Sequence, residues 1–242
     1  MNIYPAIDIQ GGNCVRLKQG LASESTKYFT DPAEPARAFA AAGSKWIHVV
    51  DLDGAFGGEP KNLSALKRIA ETGLKVQFGG GLRTVENIRA VLDAGAARAI
   101  VGTKAAHDDA FVAEIVKIFG GEKIAVGIDA KDGFVAVRGW VDITTRRATE
   151  LAGTVARLGV RTIIYTDIAT DGMLKGPNFP ALEEMLKSTS AGIIASGGVS
   201  RREDILRVRE LAEKFANTDG AIVGKALYEK RVELPDLLEI AK

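Results

Sequence analysis

The chain has 242 residues, of which 46% are hydrophobic and 26% are charged, and its formal net charge is +1. This length suits a single α/β barrel domain over 1–242, and the balanced charge excludes the basic stripe of a nucleic-acid binder and a polybasic membrane patch. The single cysteine excludes an internal disulfide, the first residues lack a signal-peptide pattern and no apolar run reaches membrane-span length, so we expect a cytoplasmic protein.

Short apolar and β-branched runs recur along the whole chain. They are too short for independent helices, and they are apolar enough to be parallel strands buried on both faces. The predicted strands are Ile3–Ile9, Trp46–Leu52, Lys75–Phe78, Arg98–Val101, Lys123–Ile128, Thr162–Ile168, Gly192–Ala195 and Gly220–Val223.

A helical pattern with start and stop signals follows each predicted strand. The segments begin near Asp31-Pro32, Asn62, Thr84, Asp108, Thr145, Pro180, the capping-box pattern Ser200–Glu203, and Pro235. Strict alternation of strands and helices predicts a parallel sheet, and eight of each predict a closed (β/α)8 TIM barrel. A doubly wound open sheet is the alternative.

The second half of the chain repeats short motifs of the first, which counts against the open sheet. The matches are Ala6–Ile9 with Gly127–Ala130, Val50–Leu52 with Thr166–Ile168, Gly80–Leu82 with Gly197–Val199, and Val101–Thr103 with Val223–Lys225. We therefore predict two similar (β/α)4 halves, about 1–121 and 122–242. A ligand feature bound by one half is expected to have a counterpart bound by the other.

Two aspartates stand at equivalent strand ends. Asp8 closes the first predicted strand and Asp129 the fifth, so they are expected to face each other across the barrel mouth, where this fold carries its active site. A carboxyl on either side of a ligand suits general acid–base catalysis. Strand capping or pairing with a neighbouring base is the alternative role for each residue.

Glycines follow four predicted strands, as pairs after the third and the seventh. Glycine lets backbone N–H groups approach phosphate oxygens closely, and a following helix N-terminus favours an anion. Because the pairs recur at half-barrel spacing, we predict two phosphate sites rather than simple tight turns. These sites comprise Gly80, Gly81, Gly102 and Thr103 in the first half, and Gly197, Gly198, Gly224 and Lys225 in the second.

Several other polar or aromatic residues are placed near the predicted mouth. His48 is either a buried core histidine or a ligand contact. Asp51 and Asp53 close the second strand and are expected to face the mouth, with Asp51 as a ligand contact. Trp140, which follows Arg138 and a glycine in the segment after the fifth strand, is suited to stacking on a planar heterocycle. No metal-ligand spacing or dinucleotide-binding glycine motif is evident, so we expect no metal and no cofactor.

The motifs resemble those of the phosphoribosylformimino-aminoimidazole carboxamide ribotide isomerase family of histidine biosynthesis. The resemblance covers nearly the whole chain. Its motifs include Pro5–Ile9, Cys14–Leu17, His48–Ala55, Gly79–Arg83, Tyr165–Ile168, Asp171–Leu174, Gly176–Asn178, Ala195–Val199 and Ile222–Leu227.

This resemblance implies an Amadori rearrangement of a bis-phosphorylated aminoaldose to an aminoketose. It implies Asp129 as the general acid at the ring oxygen, Asp8 as the general base at the sugar C2, and Thr166 as a hydrogen-bond partner of the reacting sugar. The further ligand contacts that it implies are Arg16, Arg83, Arg138, Trp140 and Asp171, with Gly176 at a phosphate. No obligatory protein partner is implied, and we expect a monomer.

Three alternatives remain at this point. A dual-substrate relative also isomerises phosphoribosyl anthranilate, and Arg138–Trp140 resembles its loop, whereas Gly79 fits the single-substrate family better. The sister cyclase of the pathway typically begins with a Cys-Leu-Asp strand, which Ala6–Asp8 does not match. The third alternative is a catalytically inactive phosphate-binding barrel, which the presence of both aspartates disfavours.

Overall fold

The computed structural model describes residues 1–18 and 21–242, and this part of the chain forms a closed barrel of parallel strands. The described strands, numbered in chain order, are β1 (Asn2–Gln10), β2 (Asn13–Lys18), β3 (Leu21–Phe29), β4 (Trp46–Asp51), β5 (Lys75–Gly79), β6 (Arg98–Val101), β7 (Ile124–Lys131), β8 (Phe134–Val137), β9 (Asp142–Arg147), β10 (Thr162–Asp167), β11 (Gly192–Ser196) and β12 (Thr218–Val223).

Eight of these strands pair in parallel in the order β1-β4-β5-β6-β7-β10-β11-β12, and β12 returns to β1. The ring is therefore closed, which confirms the (β/α)8 barrel and excludes the open sheet. The predicted strands agree with the observed ones to within about three residues at each end.

The helices surround the barrel. In the described residues they are α1 (Ala33–Ala41), α2 (Leu52–Gly57), α3 (Leu63–Ala70), α4 (Val85–Asp93), α5 (Thr103–His107), α6 (Asp109–Phe119), α7 (Ala148–Arg157), α8 (Phe179–Ser188), α9 (Arg202–Lys214), α10 (Lys225–Tyr228) and α11 (Leu234–Ile240). The predicted N-caps Thr84 and Asp108 accept hydrogen bonds from the Asn87 and Phe111 amides at 3.2 and 2.8 Å.

Alternation along each strand separates two apolar cores. Ile3, Ile7 and Ile9 of β1 pack in the large layer between the strands and the helices. Tyr4 and Ala6 of the same strand belong to a second cluster. The other buried members of that cluster are Ile100, Ala125, Ile164, Ile194 and Ile222. Successive side chains of a strand point to opposite faces, so this second cluster fills the barrel interior.

Two hairpins extend the barrel strands that carry the predicted acid and base. β2 and β3 follow β1, and β8 and β9 follow β7, each by antiparallel pairing. Neither hairpin was predicted from the sequence, and nor were the short helices α2, α5 and α10. The helix expected from Thr145 begins at Ala148 because Asp142–Arg147 form β9.

The capping box lies one residue later than predicted. Asp204, rather than Glu203, accepts the amide hydrogen bonds of Ser200 and Arg201, at 2.8 and 3.1 Å. Arg201 is therefore the N-cap of α9. The buried Asp204 carboxylate is held by the Ser200 hydroxyl as well, at 2.9 Å.

Candidate active site

A cavity of about 340 Å³ opens at the carboxyl ends of the barrel strands. Most of the predicted site residues line it. They are Asp8, Arg16, His48, Gly80, Gly81, Arg83, Gly102, Thr103, Asp129, Arg138, Trp140, Thr166, Asp171, Gly197, Gly198, Gly224 and Lys225. The structure therefore brings together residues from both halves of the chain, as the placement at strand ends predicts.

Asp8 is held by an arginine from the first hairpin. Asp8 lies opposite Val15 in the β1–β2 register, which brings Arg16 of β2 to the cavity wall. The Arg16 guanidinium donates to Asp8 Oδ2 at 2.8 Å and also to the Ala6 carbonyl oxygen. It lies over the Tyr228 ring, 4.7 Å from its centroid. Because Arg16 has partners on several sides, it fixes the position of the Asp8 carboxylate.

Asp129 is held by residues of its own half of the chain. Thr166 lies directly opposite it in the β7–β10 register, and the Trp140 indole Nε1 donates to Asp129 Oδ2 at 2.8 Å. Burial raises the pKa of Asp129, while the hydrogen bonds from Trp140 and Thr166 oppose that rise. A carboxyl with a raised pKa keeps its proton at higher pH, which suits a general acid.

Asp171 adds a third carboxyl to the cavity. It lies in the segment between β10 and α8. Burial and the charges of Asp8 and Asp129 raise its pKa to about 6, against the opposing charge of Arg16. Its titration therefore depends on the ionisation of the other two aspartates.

His48 is half-buried and lines the cavity from β4. Burial lowers its pKa to about 3, with a further contribution from the charge of Arg16. The imidazole is therefore neutral at physiological pH. The His48 ring hydrogen-bonds the buried Gln77 side chain and also lines the cavity wall.

The glycine pairs have a packing role in both halves. A Cβ on Gly81 would lie 2.4 Å from the Gly54 carbonyl oxygen, and a Cβ on Gly198 would lie 2.4 Å from that of Gly176. Both residues also have positive φ, +76° and +94°. Only glycine fits such close backbone approaches, and these loops also line the cavity.

The other predicted phosphate residues begin two short helices. Gly102 precedes α5 with φ −103° and ψ −102°, and Gly224 precedes α10 with φ −110° and ψ −103°. The backbone thus takes nearly the same course at equivalent points of the two halves. It presents the first amides of each helix, those of Thr103 and Lys225, beside the cavity wall.

Basic side chains surround the cavity mouth. Arg83 is exposed and donates weakly to the Ala55 carbonyl oxygen at 3.4 Å. Arg138 pairs with Asp142, and its amide donates to Thr103 Oγ1 at 3.2 Å. Lys225 Nζ donates to the Gly172 carbonyl oxygen at 3.3 Å. These cations favour an anionic ligand.

Asp51 and Gly176 do not line the cavity, contrary to the predicted ligand contacts. Asp51 is fully buried, and its carboxylate accepts hydrogen bonds from the amides of Gly54, Lys61 and Asn62 and from the Asn62 side chain, at 2.7–2.9 Å. These donors saturate it, so its role is structural. The Gly176 amide donates to the Gly198 carbonyl oxygen at 3.0 Å and braces that loop.

The side-chain hydrogen bonds that tie strand ends to helices were not predicted from the sequence. Asn62 is the N-cap of α3 and donates to Asp51 at 2.7 Å, and Asn178, the N-cap of α8, donates to Asp167 at 2.7 Å. The half-chain repeat was the signal that would have found them, because Asn178 is as far from Asn62 as Asp167 is from Asp51. Asp53 accepts from the Gly11 amide at 2.7 Å and thereby anchors the first hairpin.

Phe56 of α2 was also missed. Its ring is 52% exposed, lines the cavity and lies beside Gly139, between the two predicted ligand contacts Arg138 and Trp140. It adds an apolar side chain to the cavity wall. An exposed aromatic residue in a short sequence segment gives no periodic signal, which is why the pattern analysis overlooked it.

The described residues include neither a cluster suited to a metal ion nor a helix suited to a membrane. Over 1–18 and 21–242, no group of three or more His, Cys, Asp or Glu side chains is placed to hold a metal ion. Within the same ranges, no helix combines the length and the apolar character needed to cross a membrane.

The fold and the cavity define a (β/α)8-barrel protein whose polar residues are gathered at the end where this fold carries active sites. A family model described as "Histidine biosynthesis protein" matches residues 2–233. The chain therefore belongs to the histidine biosynthesis protein family.

Curated relatives match the chain over nearly its whole length. A protein of Opitutus terrae is 56% identical over 100% of this chain and 99% of its own. It is named 1-(5-phosphoribosyl)-5-((5-phosphoribosylamino)methylideneamino) imidazole-4-carboxamide isomerase. Proteins of the same name in Symbiobacterium thermophilum and Bacillus cereus are 49% and 43% identical, over 99% and 100% of this chain and 96% and 99% of their own.

Proposed function

We propose that the protein is an isomerase of histidine biosynthesis that acts on the compound named in its relatives. That compound carries two phosphoribosyl groups. The single observation that carries the proposal is the placement of Asp8 and Asp129 in one cavity, with glycine loops of both halves around them. A ligand with a phosphate at each end fits such a cavity, with its reacting sugar between the carboxyls.

The proposed reaction is an Amadori rearrangement, in which the aminoaldose becomes the aminoketose. Asp129 protonates the ring oxygen as the furanose opens to a Schiff base, and its raised pKa supports this role. Asp8, positioned by Arg16, then removes the proton from the sugar C2 to give an enolamine, which tautomerises to the ketose. Each general acid–base step is worth about 10²–10⁴-fold.

The remaining side chains hold the substrate. Thr166 lies beside Asp129 and hydrogen-bonds the reacting sugar. The amides after Gly80, Gly102, Gly197 and Gly224 bind the two phosphates, and Arg83 and Arg138 add positive charge at the mouth. The Trp140 side chain gives up its hydrogen bond to Asp129 and packs on the aminoimidazole carboxamide. Holding both ends of the substrate accelerates the reaction further, because it orients the sugar between the two carboxyls.

The reaction needs neither a metal nor a redox cofactor, because it moves protons within one substrate. We also propose that the protein works in the cytoplasm as a monomer without an obligatory partner. The net charge of only +1 and the single, buried cysteine support this proposal. Light scattering coupled to size exclusion tests the oligomeric state, and a dimer would contradict this part.

The test is a parallel assay of purified protein, without added metal or nucleotide, on the histidine-pathway aminoaldose and on phosphoribosyl anthranilate. We expect turnover of the aminoaldose alone. Turnover of both would establish the dual-substrate alternative, which the sequence of the loop Arg138–Trp140 favours. Turnover of neither substrate by folded protein would refute the proposal and support a binding barrel.

A further inference from the structure

Three polar side chains form a connected row inside the barrel, beneath the cavity. His48 of β4 lies opposite Gln77 of β5 in register, and Gln77 lies opposite Arg98 of β6. Gln77 is fully buried and Arg98 is 7% exposed. The Arg98 Nη1 donates to Gln77 Oε1 at 3.1 Å, and Gln77 Nε2 lies 3.0 Å from His48 Nδ1.

The direction of these hydrogen bonds is set at the arginine. A guanidinium only donates, so the Gln77 oxygen must face Arg98, and its amide nitrogen must face His48. An amide nitrogen also only donates, which makes His48 Nδ1 the acceptor. A neutral imidazole that accepts at Nδ1 carries its proton on Nε2.

Arg98 is itself fixed in the barrel floor. Its guanidinium lies over the Trp46 ring, 4.5 Å from the centroid, and Trp46 packs on Tyr4 with ring centroids 5.8 Å apart. The guanidinium cannot be deprotonated in a protein, so the row has a permanent donor at its lower end. His48, at the upper end, lines the cavity at the level of Ala6, two residues before Asp8.

We propose that Gln77 and Arg98 are positioning residues that hold His48 as a neutral Nε2–H donor, which hydrogen-bonds a sugar oxygen of the substrate beside Asp8. His48 then acts as a fixed donor and takes no part in proton transfer, which leaves that work to the aspartates. This inference rests on the proposed isomerase function.

The variant Gln77→Glu tests the row while preserving its shape. A carboxylate accepts from both neighbours, so it keeps a partner for Arg98 and draws the His48 proton to Nδ1. The protein is therefore expected to fold. We expect kcat/KM to fall by about tenfold, the scale of one lost substrate hydrogen bond. If the row were only structural, the variant would keep its activity within about twofold, well below that scale.

Nitrogen NMR of the histidine rings provides a readout that does not depend on activity. The chain has only two histidines, and His107 is exposed and serves as the internal reference. We expect the unmodified protein to show His48 protonated on Nε2 and unprotonated on Nδ1, and Gln77→Glu to show a protonated Nδ1 and an unprotonated Nε2. A His48 protonated on Nδ1 in the unmodified protein would overturn the inference.

The two readouts separate this inference from the proposed function. Failure of the unmodified protein to turn over the aminoaldose would refute the function, whereas the ring-nitrogen spectrum would still report the tautomer. Gln77→Glu with a shifted tautomer and undiminished kcat/KM would refute the positioning role alone. A shifted tautomer with about tenfold lower kcat/KM would support both.

Discussion

Replacing Asp51 with asparagine is expected to destabilise the barrel strongly without acting on the ligand site. Each oxygen of this buried carboxylate accepts two hydrogen bonds. Oδ1 accepts from the Gly54 amide and the Asn62 side chain, and Oδ2 accepts from the Lys61 and Asn62 amides. In either orientation, the new amide nitrogen of Asp51→Asn faces two donors and loses both bonds.

The magnitude follows from these contacts. Hydrogen bonds to a charged group contribute about 1.5–3 kcal/mol each, so the loss of two costs about 3–6 kcal/mol of unfolding free energy. Turning the Asn62 side chain to recover one bond is opposed, because its Nδ2 also donates to Asp53 at 2.8 Å. Asp167→Asn is the matched control. The Asp167 oxygens accept from the Ala169 amide and from Asn178, one bond each, so about 1.5–3 kcal/mol is expected.

Urea unfolding followed by both circular dichroism and tryptophan fluorescence measures the two losses, and coincident transitions justify the two-state treatment. KM of the folded fraction is expected to stay unchanged in Asp51→Asn. A stability loss below about 1 kcal/mol, less than one charged hydrogen bond, would refute the reasoning. A large rise in KM at normal stability would show instead that Asp51 contacts the ligand.

Three further perturbations probe the cavity. Asp171 has a folded-state pKa of about 6, above its ordinary value. Between that ordinary value and pH 6 the native protein therefore binds more protons than the unfolded chain, and the contribution of this group to stability is lost as pH rises toward 6. Asp171→Asn should therefore be more stable than the unmodified protein above pH 6, with that advantage vanishing near pH 4 in urea titrations; a pH-independent difference would contradict this. Trp140→Ala should raise KM about tenfold through lost stacking, whereas Trp140→Phe should raise it less; equal KM values in steady-state assays would exclude stacking. Gly198→Ala should cost more unfolding free energy than Gly43→Ala, which has the same backbone strain at φ +93° but no atom within 4 Å of the new Cβ; equal thermal shifts would refute the close-approach argument.

The sequence predicted the barrel because its signals are local and repeated. Each barrel strand is an apolar run between glycine or capping residues, and each main helix has an apolar face. Asp8 and Asp129 were placed in one cavity because parallel strands carry their carboxyl ends to the same rim. That inference needs only the order of the elements and no knowledge of side-chain contacts.

The errors arise where the outcome depends on contacts between distant segments. Asp51 and Asp8 look alike at strand ends, yet Asp51 faces the amides of the following segment and Asp8 faces the cavity. The hairpin that carries Arg16 and the one whose turn contains Trp140 were missed because β2 and β9 are short and mix polar with apolar residues. The row through Gln77 depends on the register of three strands, which the sequence pattern does not specify.

The acid–base pair is the central claim, and the turnover number of two aspartate variants tests it most directly. We predict that Asp8→Asn and Asp129→Asn each lower kcat for the aminoaldose by about 10²-fold or more, with circular dichroism unchanged. Asp132→Asn, an exposed control on the same hairpin as Asp129 at a φ of 52° that asparagine tolerates, should keep kcat within experimental error. If either active-site variant retained more than about a tenth of the original kcat, that aspartate would not be the acid or the base.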